Sequence, residues 1–72
     1  RVGFIYPNPA EDKFEIVLAK TNFQVEILNI LGQTVYKTEN EKAIDVSNFA
    51  SGTYMLRIYL EENCIVKKLV VR

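Results

Sequence analysis

Glu11-Asp12 and Glu61-Glu62 are adjacent carboxylate pairs, the residue type that acid and base catalysis uses. Both pairs fall at predicted turns, where acidic side chains are ordinarily solvated, so they are read as turn residues. The chain has no histidine, and no serine, threonine or cysteine has a base partner recognisable in sequence, which leaves triad-type nucleophilic catalysis without a candidate. With one cysteine and no histidine, a transition-metal site lacks ligands. The acidic stretch Glu39-Asn40-Glu41-Lys42 also lacks the oxygen-ligand spacing and the glycine of an EF-hand loop. Cys64 reads as a small buried apolar residue rather than a reactive thiol. No cofactor is implied, and the chain is not expected to be an enzyme.

Four tyrosines, Tyr6, Tyr36, Tyr54 and Tyr59, raise the alternative of a carbohydrate-binding platform on a β-sandwich, but there is no tryptophan and the tyrosines form no obvious row. Tyr54 shares a strand face with Leu56 and Ile58 and reads as core, with its hydroxyl at the rim.

These residues have to be positioned by a chain of 72 residues, enough for one small domain. Apolar residues make up 49% of it and no repeat or low-complexity tract occurs, which places it among globular domains. Nine basic and nine acidic residues cancel, and the single adjacent basic pair, Lys67-Lys68, is far short of a nucleic-acid footprint, so no nucleic-acid partner is expected. No apolar run approaches the roughly 20 residues of a membrane helix, and no charged-then-apolar signal opens the chain. A single cysteine leaves the redox compartment undetermined. Because residue 1 is Arg1 rather than methionine, the domain is expected to be cut from a longer protein.

Phe14, Ile16 and Leu18 alternate with Glu15 and Val17, and Phe23, Val25 and Ile27 alternate with Gln24 and Glu26, which is the period of half-buried strands. Lys20, Thr21 and Asn22 turn the chain between them. Gly32 after Leu31 supplies a tight reversal, so Phe23 to Lys37 reads as a hairpin with Val35 to Lys37 as its return arm. Glu39 to Lys42 is a solvated loop, Ala43 to Val46 a short strand, and "SNFASG" a turn region before "TYMLRIYLE", the clearest strand. Glu61 to Asn63 turn the chain into a last strand, Cys64 to Val71. About seven short strands at regular spacing predict an all-β fold, a small immunoglobulin-like antiparallel β-sandwich. In "YPNP", Pro7 and Pro9 exclude helix and bias Tyr6 and Asn8 towards extended conformations, so the segment reads as an opening loop.

The terminal strand is apolar on both faces, with Leu69 and Val71 on one and Val66 and Val70 on the other. A two-layer sandwich covers one face of each strand, so some of these valines should lie outside, beside Met55 and Tyr59 of the preceding strand. Such a patch marks a partner surface when it is continuous and is ordinary when scattered.

Taken in order, "YPNPAEDKFEI", "VEILNILGQTVYK", "IDVSNFASGTYMLRI" and "VKKLVVR" resemble the C-terminal sorting domain of the type IX (Por) secretion system over nearly the whole chain. The features carried over are Pro7, Asn8 and Pro9 at the start, Gly32 and Gln33 in the hairpin, Gly52 and Tyr54 at the penultimate strand, and a lysine-rich apolar end. Phe49, Cys64 and Arg72 depart mildly from the pattern. The resemblance implies a C-terminal secretion signal spanning residues 1–72 of a larger cargo protein of a Gram-negative bacterium. Such a signal is read in the periplasm, directs export across the outer membrane to the surface or beyond, and is commonly removed there by a sortase-like protease. The partners it implies are translocon components, that protease and an upstream cargo domain. Within it Lys67, Lys68, Leu69, Val70, Val71 and Arg72 are the residues expected to meet the translocon, as an edge strand with positive charge beside apolar side chains. The same edge could pair with a second copy as a weak homodimer. Pro7, Asn8, Pro9, Gly32, Gln33, Gly52 and Tyr54 are expected to be mainly architectural, with Tyr6 to Pro9 stiffening the junction to the cargo linker. An inert structural sandwich is the remaining alternative.

Overall fold

The structure, a computed structural model, describes residues 4–19 and 22–72. The described residues form seven strands and no helix: β1 (Phe4–Tyr6), β2 (Lys13–Val17), β3 (Gln24–Leu28), β4 (Thr34–Glu39), β5 (Ala43–Asp45), β6 (Gly52–Tyr59) and β7 (Cys64–Val71). They pair antiparallel in two sheets, β1-β2-β5 and β4-β3-β6-β7. This is the immunoglobulin-like order with the fourth strand moved to the edge of the opposite sheet.

The alternation read from sequence sets the core. Phe14 and Ile16 of β2, Val25 and Ile27 of β3, Leu56 and Ile58 of β6, and Leu69 and Val71 of β7 are buried between the sheets, with Ile44 and Val46 closing the layer. At one edge Phe49 packs edge-to-face on Tyr54 at 5.4 Å and on Tyr36 at 6.3 Å.

Three details differ from the reading of the residues. β1, a three-residue strand paired with β2 from Phe4↔Val17 to Tyr6↔Glu15, precedes the proline segment. Within "YPNP", Tyr6 therefore ends β1, and Pro7, Asn8 and Pro9 lie in an internal loop between paired strands rather than in a junction in front of the domain. β4 runs on to Glu39, because Gln24 pairs with Glu39 and extends the ladder past Lys37. Cys64 is exposed, since it opens β7 on the outward-facing set shared with Val66 and Lys68. Of the turn expected at Lys20 to Asn22, Lys20 and Thr21 lie outside the described residues.

Candidate functional site

β7 is an edge strand, but much of its outer edge is occupied. The loop between β1 and β2 crosses to the other sheet there, and both of its X-Pro peptides, Tyr6–Pro7 and Asn8–Pro9, are cis. The prolines have no N–H to offer a neighbouring strand. Asn8 supplies one from its side chain: Nδ2 donates to the Lys68 carbonyl at 2.8 Å, and Oδ1 accepts from the Val70 N–H at 3.0 Å. Ala10 then continues as a parallel bridge, donating to the Val70 carbonyl at 2.7 Å and accepting from the Arg72 N–H at 2.8 Å. The two ends of the described chain are thus clasped together.

The clasp decides what the terminal segment can present. Leu69 and Val71 are buried in the core, Val70 and Lys67 are half-buried, and Lys68 and Arg72 are exposed. Lys67 has the inward parity of Leu69, so its aliphatic stem can cover the core rim while its ammonium stays in water. On the outer face, Val66 (55% exposed) stands opposite Arg57 in register, and Met55 (43%) stands opposite Lys68.

Gly32 and Gln33 lie in the turn joining β3 to β4. Gly32 has φ +82°, where a Cβ is strained although nothing lies within 4 Å of its position. Asn29 organises the turn. Its Oδ1 accepts from the N–H groups of Leu31 and Gln33 at 3.0 Å each, and its Nδ2 donates to Gln33 Oε1 at 2.9 Å. Gly52 begins β6 at φ +154°, and the Tyr54 hydroxyl donates to the Ala50 carbonyl at 2.6 Å, fixing the preceding corner.

On the outer face of the larger sheet, Glu26 accepts hydrogen bonds from Thr34 Oγ1 and, at 2.8 Å, from the Tyr59 hydroxyl, with Arg57 Nη1 at 3.9 Å. The hydrogen bond from Thr34, followed by that from Tyr59, lowers its pKa against the opposing effect of partial burial. The Tyr36 hydroxyl donates to Glu41 Oε1 at 2.6 Å, and that bond raises the tyrosine's pKa. Tyr36, Tyr54 and Tyr59 are therefore all tied into side-chain or backbone hydrogen bonds, while Tyr6 lies on the other sheet. They make no shared platform. Among the described residues no group of three or more His, Cys, Asp or Glu side chains gathers to hold a metal ion.

The residue reading missed Asn29, Ala10 and the exposed tip Ile30-Leu31. The polar pair Asn29 and Gln33, four residues apart around a glycine, was the available signal for an organised turn.

An endo-acting ulvan lyase of Formosa agariphila is 36% identical over 74 aligned positions, which cover 94% of this chain and 14% of that protein. The chain thus spans about one seventh of the length of that relative. The family described as the secretion system C-terminal sorting domain matches residues 4–72, from the first residue of β1 to the residue after β7. The clasp, the glycine turn and the tyrosine corner fall within that match, and the chain belongs to the C-terminal sorting domain family of the type IX (Por) secretion system.

Proposed function

We propose that this sorting domain is read through its terminal strand, with Lys67, Lys68, Leu69, Val70, Val71 and Arg72 forming the element that the type IX translocon recognises during periplasmic transit. The observation that carries the reading is the arrangement at the end of β7. Lys68 and Arg72 are exposed beside Val66, Val70 and Met55, giving positive charge next to apolar surface. Leu69 and Val71 serve recognition indirectly, by holding the strand in the core. Residues 1–72 act as one address label for a cargo domain ahead of them, which a sortase-like protease separates from the label at the cell surface. The Formosa agariphila relative, in which the matching region is a small part of a lyase, supports a cargo and label organisation.

The test is a reporter fused ahead of the domain in a type IX-competent cell. The intact fusion is expected at the surface or in the medium. Lys68→Glu with Arg72→Glu is expected to hold a folded fusion in the periplasm, and export equal to the intact fusion would refute terminal-strand recognition. Mass spectrometry of surface-exposed reporter checks the protease step: a reporter still carrying residues 1–72 would contradict removal.

A further inference from the structure

The turn at Asn29 to Gln33 is fastened by five hydrogen bonds of its own. Besides the three side-chain bonds from Asn29 to Leu31 and Gln33, the Asn29 N–H donates to the Gln33 carbonyl at 2.9 Å, and the Gly32 N–H to the Asn29 carbonyl at 3.0 Å. What it displays is apolar. Ile30 is 81% exposed and Leu31 is 78% exposed. A backbone fixed before binding loses little freedom on docking, so such a turn suits presenting Ile30 and Leu31 to a partner.

Beside the tip lies a groove of about 420 Å³, lined by Leu28, Ile30, Tyr54, Met55, Arg57 and Lys68 among others. It is built from three of the four segments that carry the sorting pattern: the glycine turn, the start of β6 and the terminal strand. No carboxylate lines it. Arg57 already faces Glu26, whereas Lys68 makes no ion pair among the described residues, so the positive charge at the rim is Lys68's to offer. The complement of an apolar groove with a free ammonium is an apolar side chain next to a carboxylate.

We propose that Ile30, Leu31 and this groove form a docking surface for a protein partner that presents apolar side chains beside an acidic residue. A concave groove takes a protein side chain, whereas a bilayer would accept the two aliphatic residues and leave the groove unfilled. The net charge of zero also gives the domain no general attraction to an anionic membrane. The proposal rests on the sorting function, because export is its readout.

The experiment compares reporter fusions of the intact domain, the double variant Ile30→Ser/Leu31→Ser, and Met55→Glu, which puts a carboxylate in the groove without touching the turn. Circular dichroism melts establish that each variant folds. Both variants are expected to remain folded and to lower the exported fraction at least about tenfold, the ratio that corresponds to a modest loss of binding free energy. Should the intact fusion be exported and the folded variants be exported equally, the docking surface is wrong while the sorting function stands. Should the intact fusion itself stay inside, the sorting function fails and the docking surface fails with it. Flotation of the domain with phosphatidylethanolamine and phosphatidylglycerol vesicles supplies the remaining arm. No co-flotation is expected, and co-flotation abolished by the double variant would assign the tip to a membrane and overturn the protein partner.

Discussion

Pro7 and Pro9 bring no N–H to the edge of β7, and the Asn8 side chain supplies both a donor and an acceptor between them. Replacing Asn8 by alanine removes two hydrogen bonds and is expected to cost about 1–2 kcal/mol, read by urea unfolding. Asn8→Asp should not rescue it, since a carboxylate cannot donate to the Lys68 carbonyl. Tyr54→Phe keeps the ring against Phe49 and loses only the bond to Ala50, for an expected cost of about 1 kcal/mol. Glu26 gives a pH prediction. Its carboxyl has an ordinary value of 4.5 and is lowered in the fold by Thr34 and Tyr59, with smaller help from Arg57 and Lys37. A depressed folded pKa means that its stabilisation is complete above the ordinary value and is lost as pH falls through the folded one. Asp45, lowered by its hydrogen bonds with Ser47, acts in the same direction from 3.8. Stability should therefore decline below about pH 4.5, and Glu26→Gln should make that decline shallower in unfolding curves taken across the acid range.

In the proposed reading the terminal strand is held in the core by one face and recognised by the other, and substitutions separate the two. Leu69→Ala opens a cavity in the core and is expected to cost about 2–5 kcal/mol, a large part of what so small a domain has. Lys68→Glu changes an exposed side chain and should leave the melting temperature nearly unchanged. Ending the chain at Val66 would remove Leu69, Val71 and the partners of Asn8 and Ala10 together, so it would test folding rather than recognition. In the β3–β4 turn, Gly32→Ala meets no atom within 4 Å but cannot easily adopt φ +82°. Its expected cost of about 1 kcal/mol comes from the backbone alone. The strands carrying these residues were legible because alternation is local: Phe14 and Ile16, Val25 and Ile27, Leu56 and Ile58 all face inward as their spacing requires. The clasp was not legible, because it joins Asn8 to Lys68 and Val70 across some 60 residues of sequence. Cys64 was misplaced for a related reason, since its residue type favours burial and its parity on β7 decides otherwise.

At the scale of the whole molecule, the sorting pattern describes how one small sandwich is closed and what it shows at one end. Pro-Asn-Pro clasps β7, Gly32 and Gln33 shape the turn, Tyr54 fixes the corner, and Lys68 lines the groove together with Gly32 and Tyr54. The motifs were legible as types in order, but their convergence was not, because pairing of β3 with β6 and of β6 with β7 is what brings Leu28, Met55 and Lys68 into one row. The most direct measurement is the surface fraction of a reporter fused ahead of this domain in a type IX-competent cell. The intact domain is compared with the folded Lys68→Glu/Arg72→Glu variant. Surface display of the first and periplasmic retention of the second is the predicted result, and equal export of both would contradict recognition through the terminal strand.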